Sequence, residues 1–98
     1  MKVIIEPDVV KFIVKLEQVT QTKIDRLIDL LKLYGNKLPM PYSKSLGYGL
    51  FELRIKGKQE VRLLYGFEDD GAIIVYGFLK KTQKTPKNIL DLARKRIG

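Results

Sequence analysis

The segment Leu50–Leu79, LFELRIKGKQEVRLLYGFEDDGAIIVYGFL, reads as three β-strands laid side by side. In its first seven residues Phe51, Leu53 and Ile55 alternate with Glu52, Arg54 and Lys56. That period of two sends one set to a core and the other to the opposite face of a sheet. Gly57-Lys58 supplies a hairpin turn, after which Val61, Leu63, Tyr65 and Phe67 stand opposite Arg62, Leu64 and Gly66. Glu68-Asp69-Asp70-Gly71 is a second turn signal. Ala72–Leu79 is apolar on both faces, as a strand inside a covered sheet should be.

Working outward, Val3-Ile4-Ile5 is a short apolar run that ends before Pro7 and predicts a brief strand. Pro7 and Asp8 open a helix, since proline fits the first turn and an acid suits the positive end of the helix dipole. Val9, Val10, Phe12, Ile13, Leu16 and Val19 follow at helical spacing. Thr20-Gln21-Thr22 interrupts them and supplies a cap for a second helix, whose stripe is Ile24, Leu27, Ile28, Leu31 and Tyr34. Leu38-Pro39-Met40-Pro41 is a stiff connector, and Tyr42 to Gly49 reads as loop. Thr85-Pro86 starts a last helix with Ile89, Leu92, Ala93 and Ile97 inward. The expected order is β-α-α-β-β-β-α, a single α+β domain over residues 1–98 with a small, mostly antiparallel sheet packed against helices.

Composition narrows the function. The chain has 98 residues, 45% of them apolar and 31% charged, a globular balance for one domain. With neither cysteine nor histidine, thiol chemistry, imidazole acid–base chemistry and the usual zinc sites are excluded, and no cofactor or metal is expected. No apolar run approaches ~18 residues, so no membrane span is expected, and a cytoplasmic location fits. The net charge of +8 is unevenly placed: residues 1–36 carry six basic and five acidic side chains, residues 37–98 thirteen and six. A lopsided positive field attracts polyanions, although a basic surface also serves solubility alone.

Strand parity adds geometry. Glu52, Arg54 and Lys56 share a face, and Arg62 joins them if the two strands share a core. The third strand runs into Lys80-Lys81. Cations from three adjacent segments then converge on one surface, either as a solvated sheet face or as a phosphate cradle. Tyr65 and Tyr76 alternate with core residues and read as core, while Tyr42 and Tyr48 are loop residues able to stack on a base. Arg94, Lys95 and Arg96, with Lys87, offer non-specific contacts to RNA or to an acidic partner.

Three segments carry a resemblance: Gly47-Tyr48-Gly49-Leu50-Phe51-Glu52-Leu53-Arg54, then Val61-Arg62-Leu63-Leu64-Tyr65, then Gly77-Phe78-Leu79-Lys80-Lys81-Thr82-Gln83-Lys84-Thr85-Pro86. In this order and spacing the chain resembles the RelE/HigB superfamily of bacterial toxins, and within it the phage-derived HigB-like branch. The resemblance implies the toxin of a type II toxin–antitoxin system, a metal-independent endoribonuclease that cuts mRNA on the ribosome. Attack of the 2′-hydroxyl on the adjacent phosphate gives a 2′,3′-cyclic phosphate. It further implies a cognate antitoxin, of helix-turn-helix type, as partner. By position, Arg62 matches the family's phosphate-stabilising arginine, while Arg54 and Lys81 match basic positions beside it, with Glu52 as a fourth catalytic candidate. Lys56, Lys58, Lys80, Thr82 and Lys84 are the expected RNA contacts. The chain has no histidine and no tyrosine after Tyr76, which leaves the acid and base open between Lys81, Glu52 and neither, with arginine electrostatics and positioning by the ribosome supplying the rate. Glu52 reads first as an ion-pair partner of Arg54 or Arg62 and second as the base. A ParE-like inhibitor of DNA gyrase and an inactive RNA-binding module are the alternatives on such a fold.

Overall fold

A computed structural model describes residues 1–81 and 84–97. The elements are β1 (Lys2–Ile5), α1 (Pro7–Val14), α2 (Gln18–Tyr34), β2 (Ser43–Gly47), β3 (Leu50–Ile55), β4 (Val61–Glu68), β5 (Gly71–Leu79) and α3 (Lys87–Ile97), with a one-turn 3-10 helix at Gly35–Lys37. The strands form one sheet in the order β1-β5-β4-β3-β2. β1 lies parallel to β5, with Lys2 opposite Gly71, and the other pairs are antiparallel. The expected α+β class and element order hold, with one added strand.

That strand is β2, which the sequence presents as loop. Its residues, SKSLG, show no apolar alternation, yet Ser43, Lys44 and Ser45 pair with Leu53, Glu52 and Phe51. An edge strand bonds on one side only and keeps its other side wet, so it can form without an apolar face. The two hairpin turns fall where glycine and aspartate place them. Between β4 and β5 only Asp69 and Asp70 turn the chain, and Asp69 takes a φ of +50°.

The sheet is covered on both faces, which explains why β4 and β5 are almost continuously apolar. On one face α1 and α2 bury Val9, Ile24, Leu27, Ile28 and Leu31 against Leu53, Ile55, Leu63, Tyr65 and Ile74. On the other, Ala93 of α3 closes over Leu50, Leu64 and Val75, with Ile89, Leu90 and Ile97 packed around them. Two glycines admit the helices this closely. A Cβ at Gly77 would lie 2.7 Å from the ring of Phe12 in α1, and one at Gly66 would lie 2.8 Å from Ile97 in α3.

Helix boundaries differ from those the spacing predicts. α1 ends at Val14 and α2 begins at Gln18, so Thr20 lies within the first turn of α2 instead of before it. The cap comes from across the chain. Gln59, in the β3–β4 loop, presents Oε1 to the Glu17 backbone N–H at 2.9 Å and to the Thr20 hydroxyl at 2.8 Å. Val10, Val19 and Tyr34 are exposed instead of inward, and in α3 it is Leu90, not Leu92, that joins the core. Val10, Val19 and Leu92 each adjoin a buried residue (Val9, Thr20 and Ala93), about 100° away round the helix, so only one of each pair can face the sheet.

Candidate functional site

Register decides which charged side chains meet. Arg54 of β3 stands directly opposite Arg62 of β4, and Arg62 opposite Phe78 of β5. One row along, Lys44 of β2 faces Glu52 of β3, followed by Leu64 and Tyr76. Partners across a ladder project to the same face, so Glu52, Arg54 and Arg62 share the face that carries α3. The convergence expected from strand parity is therefore present for these three.

Its setting is different from an open, solvated face. Arg62 is only 2% exposed and Glu52 3%, while the Arg54 side chain keeps 18% of its surface in solvent. The reason is position: Arg62 lies on the central strand between Arg54 and Phe78, on the face that α3 covers. The Glu52 Oε1 sits 3.6 Å from Arg54 Nε and 3.8 Å from Arg62 Nε, and Glu60 Oε2 is 3.9 Å from an outer nitrogen of Arg62. Those separations are ionic contacts beyond good hydrogen-bond length. Arg62 Nη1 donates to the Val61 carbonyl at 3.1 Å. Glu52 Oε2, Arg54 Nε and Arg62 Nε are buried with no hydrogen-bond partner among the described residues.

Burial holds the Arg62 guanidinium below its ordinary pKa; Glu52 opposes that, Arg54 adds to it, and Glu60 opposes it again. The group is still a cation at neutral pH, because a guanidinium is effectively always protonated in proteins. Two guanidinium groups thus share one enclosed carboxylate, with part of their donor capacity unused. Such an arrangement is electrostatically paired but under-bonded, and an acceptor-rich anion at its open edge gains from it. Arg54 forms that edge: its Nη1 reaches Met40 Sδ at 3.7 Å.

The other expected contacts are more dispersed. Lys80 donates its backbone N–H to Glu60 at 2.8 Å, which extends the β4–β5 ladder and keeps Lys80 on the Arg62 face. Lys81 and Lys84 are exposed beyond it, and Thr82 lies outside the described residues. Lys56 is exposed just past β3, whereas Lys58 is drawn to Glu17, 3.7 Å away at the head of α2. Glu52 is the ion-pair partner that one of its two readings describes. Lys44 belongs to the same row and was not legible, because the strand carrying it shows no alternation.

The α3 arginines are committed to holding the helix. Arg96 donates to the Val75 carbonyl at 2.8 Å, lies over the Tyr76 ring and contacts Asp8 at 3.8 Å. Arg94 donates to the Leu46 carbonyl at 3.2 Å and lies over Tyr48, itself 99% exposed at the β2–β3 turn. The sequence offers both as non-specific contacts to RNA or to an acidic partner; in the structure they strap α3 across the sheet. Tyr65 is core, as its alternation predicts, with its hydroxyl 2.5 Å from Ser43 Oγ.

Among the described residues no helix is long and apolar enough to cross a membrane, and no three carboxylates converge as metal ligands. A family model described as "Phage derived protein Gp49-like (DUF891)" matches residues 11–98, which takes in both helical layers, β2 to β5 and the whole Glu52–Arg54–Arg62 cluster. No curated protein matches the chain.

Proposed function

The chain belongs to the Gp49-like family of phage-derived, toxin-like proteins, and from that premise we propose that it is the toxin of a type II toxin–antitoxin pair, an endoribonuclease acting on mRNA at the ribosome. The observation that carries this reading is the cross-strand pair Arg54–Arg62 with Glu52 beside it, a cationic row whose donors are only partly used. The sequence resemblance to RelE/HigB toxins and the strongly basic second half of the chain support it.

In this reading Arg54, at the open edge, takes a non-bridging oxygen of the scissile phosphate. Arg62 stands behind it as a positioning residue, and Glu52 keeps both guanidinium groups aligned. The 2′-oxygen loses its proton to water and bonds to phosphorus, and the bond from phosphorus to the 5′-oxygen breaks. Lys81 returns a proton to that leaving oxygen. The products are a 2′,3′-cyclic phosphate and a free 5′-hydroxyl. Fixed cations beside the phosphorane lower its energy without reorganising, and the ribosome supplies the alignment of the message. Lys56, Lys80 and Lys84 hold the strand by charge. A helix-turn-helix antitoxin silences the protein in the cytoplasm.

A second reading, an RNA-binding module without cleavage, is favoured by the enclosure of Glu52 and Arg62. A cell-free translation reaction with mapped 5′ ends separates the two. Cleavage that Arg54→Ala abolishes, and that a 2′-O-methyl message resists, supports the nuclease. Intact message at stoichiometric protein, with RNA bound, leaves the module.

A further inference from the structure

Beside the cluster, on the α2 side of β3, a pocket of about 330 Å³ opens, and of the catalytic candidates Arg54 alone contributes to its lining. Its rim is cationic, with Lys23 and Arg26 from α2 and Lys56 just past β3, while Arg54, whose side chain projects to the α3 face, lines it from within the strand. No acidic side chain lines it. Arg26 and Lys56 have no ion-pair partner among the described residues, and the Lys23 ammonium is held in place by the Lys56 carbonyl at 3.0 Å. Its floor is apolar, made by Leu27, Leu30 and Ile55, with Tyr42 as an aromatic wall. Tyr42 is fixed to the strand through its carbonyl, which accepts the Arg54 backbone N–H at 2.9 Å.

We propose that this pocket takes one nucleotide of a single-stranded RNA, its base against Tyr42 and the leucine floor and its phosphate on Lys23, Arg26 and Lys56. The inference rests on the reading above that RNA lies on the Arg54–Arg62 row. Its volume is at the small end of ligand sites, ~300–1,000 Å³, which suits one nucleotide and not a folded domain. A flat aromatic wall over an apolar floor recognises a π-face, and a rim of unpaired cations recognises phosphate. An acidic peptide would satisfy the rim but bring no planar group to the wall. Lys56 follows Arg54 by two residues at the end of β3, so a strand whose scissile phosphate meets Arg54 passes that open end of the sheet to reach the pocket mouth. The pocket is therefore a specificity subsite next to the reactive centre.

The test measures binding alone, with a 2′-O-methyl RNA trinucleotide that cannot be cleaved, and reads backbone amide shifts by NMR. Shifts at Leu27, Leu30, Tyr42, Ile55 and Lys56, and an affinity that falls by about ten-fold or more in Arg26→Glu/Lys56→Glu, support the subsite. Tyr42→Phe should retain the affinity and Tyr42→Ala lose about ten-fold. Shifts confined to other surfaces, an unchanged affinity in the double charge variant, or equal binding of a polyglutamate peptide would overturn it. All three variants alter exposed residues, Arg26, Lys56 and Tyr42, so the fold is checked by the unshifted remainder of the spectrum. Cleavage with an empty pocket sinks this inference and leaves the nuclease standing; pocket binding without cleavage does the reverse.

Discussion

Exchanging Glu52 for glutamine removes the enclosed carboxylate that Arg54 and Arg62 share and leaves its shape in place. Contacts of 3.6 and 3.8 Å correspond to about 4–5 kcal/mol of attraction each at an effective dielectric of ~20. Most of that is offset in the wild type by the several kcal/mol spent desolvating each ion. Removing one partner of a buried pair exposes the imbalance and typically costs ~3–5 kcal/mol. Here Arg54 reaches solvent and Arg62 keeps Glu60 at 3.9 Å, so the low end applies. We expect Glu52→Gln to lose about 3 kcal/mol in urea unfolding followed by circular dichroism, equivalent to roughly 15 °C in a domain of this size. Adding Arg62→Met should recover about 2 kcal/mol of what the two single changes lose together, because the stranded cation is gone. A loss below about 1 kcal/mol for Glu52→Gln, or strict additivity in the double variant, would show that the cluster is not the coupled unit described.

Further outcomes follow from particular contacts. Gln59→Ala should lose about 1–2 kcal/mol, since it deprives both the Glu17 amide and the Thr20 hydroxyl of their acceptor; Gln59→Glu should retain most of it. Gly66→Ala should lose about 1–3 kcal/mol and loosen α3, with faster amide exchange in residues 89–97, because its Cβ would meet Ile97 at 2.8 Å and the Gly49 carbonyl at 3.2 Å. Burial holds the Tyr65 phenol above its ordinary pKa, with the Ser43 hydrogen bond opposing that. The unfolded chain therefore ionises first, and the stability due to Tyr65 is complete below about pH 10 and is lost as pH rises beyond it. Tyr65→Phe should flatten that alkaline slope in an unfolding series while losing about 1 kcal/mol at neutral pH. Arg54→Ala should abolish RNA cleavage with a smaller loss of stability than Arg62→Met, since only Arg54 is at the open edge.

How far the sequence carried depends on whether a property is local. The alternation of Phe51, Leu53 and Ile55 against Glu52 and Arg54 depends only on strand pleat, and it placed both arginines on the correct face. The Asp69-Asp70 turn is likewise written in four neighbouring residues. β2 was not legible because an edge strand is made by its partner, Leu53 to Phe51, and its own residues carry no pattern. The α2 cap was missed for the same reason, as Gln59 is remote in sequence. Burial of Arg62 is also non-local: parity says which face a side chain takes, not what lies over that face. Nothing in Arg94 or Arg96 alone distinguishes a surface cation from a strap, because Leu46, Tyr48, Tyr76 and Asp8 complete each contact from elsewhere.

The pairing of Lys2 with Gly71 has a temporal side. During synthesis the first strand emerges early and then waits, since the ladder it needs is contributed by residues 71–74. Closing so long a loop is slow, and until it happens β5 has one side unpaired. In the reading proposed above, a chain aimed at translating ribosomes stays unfinished until most of its own message has been read, which would give an antitoxin made alongside it an interval in which to be ready.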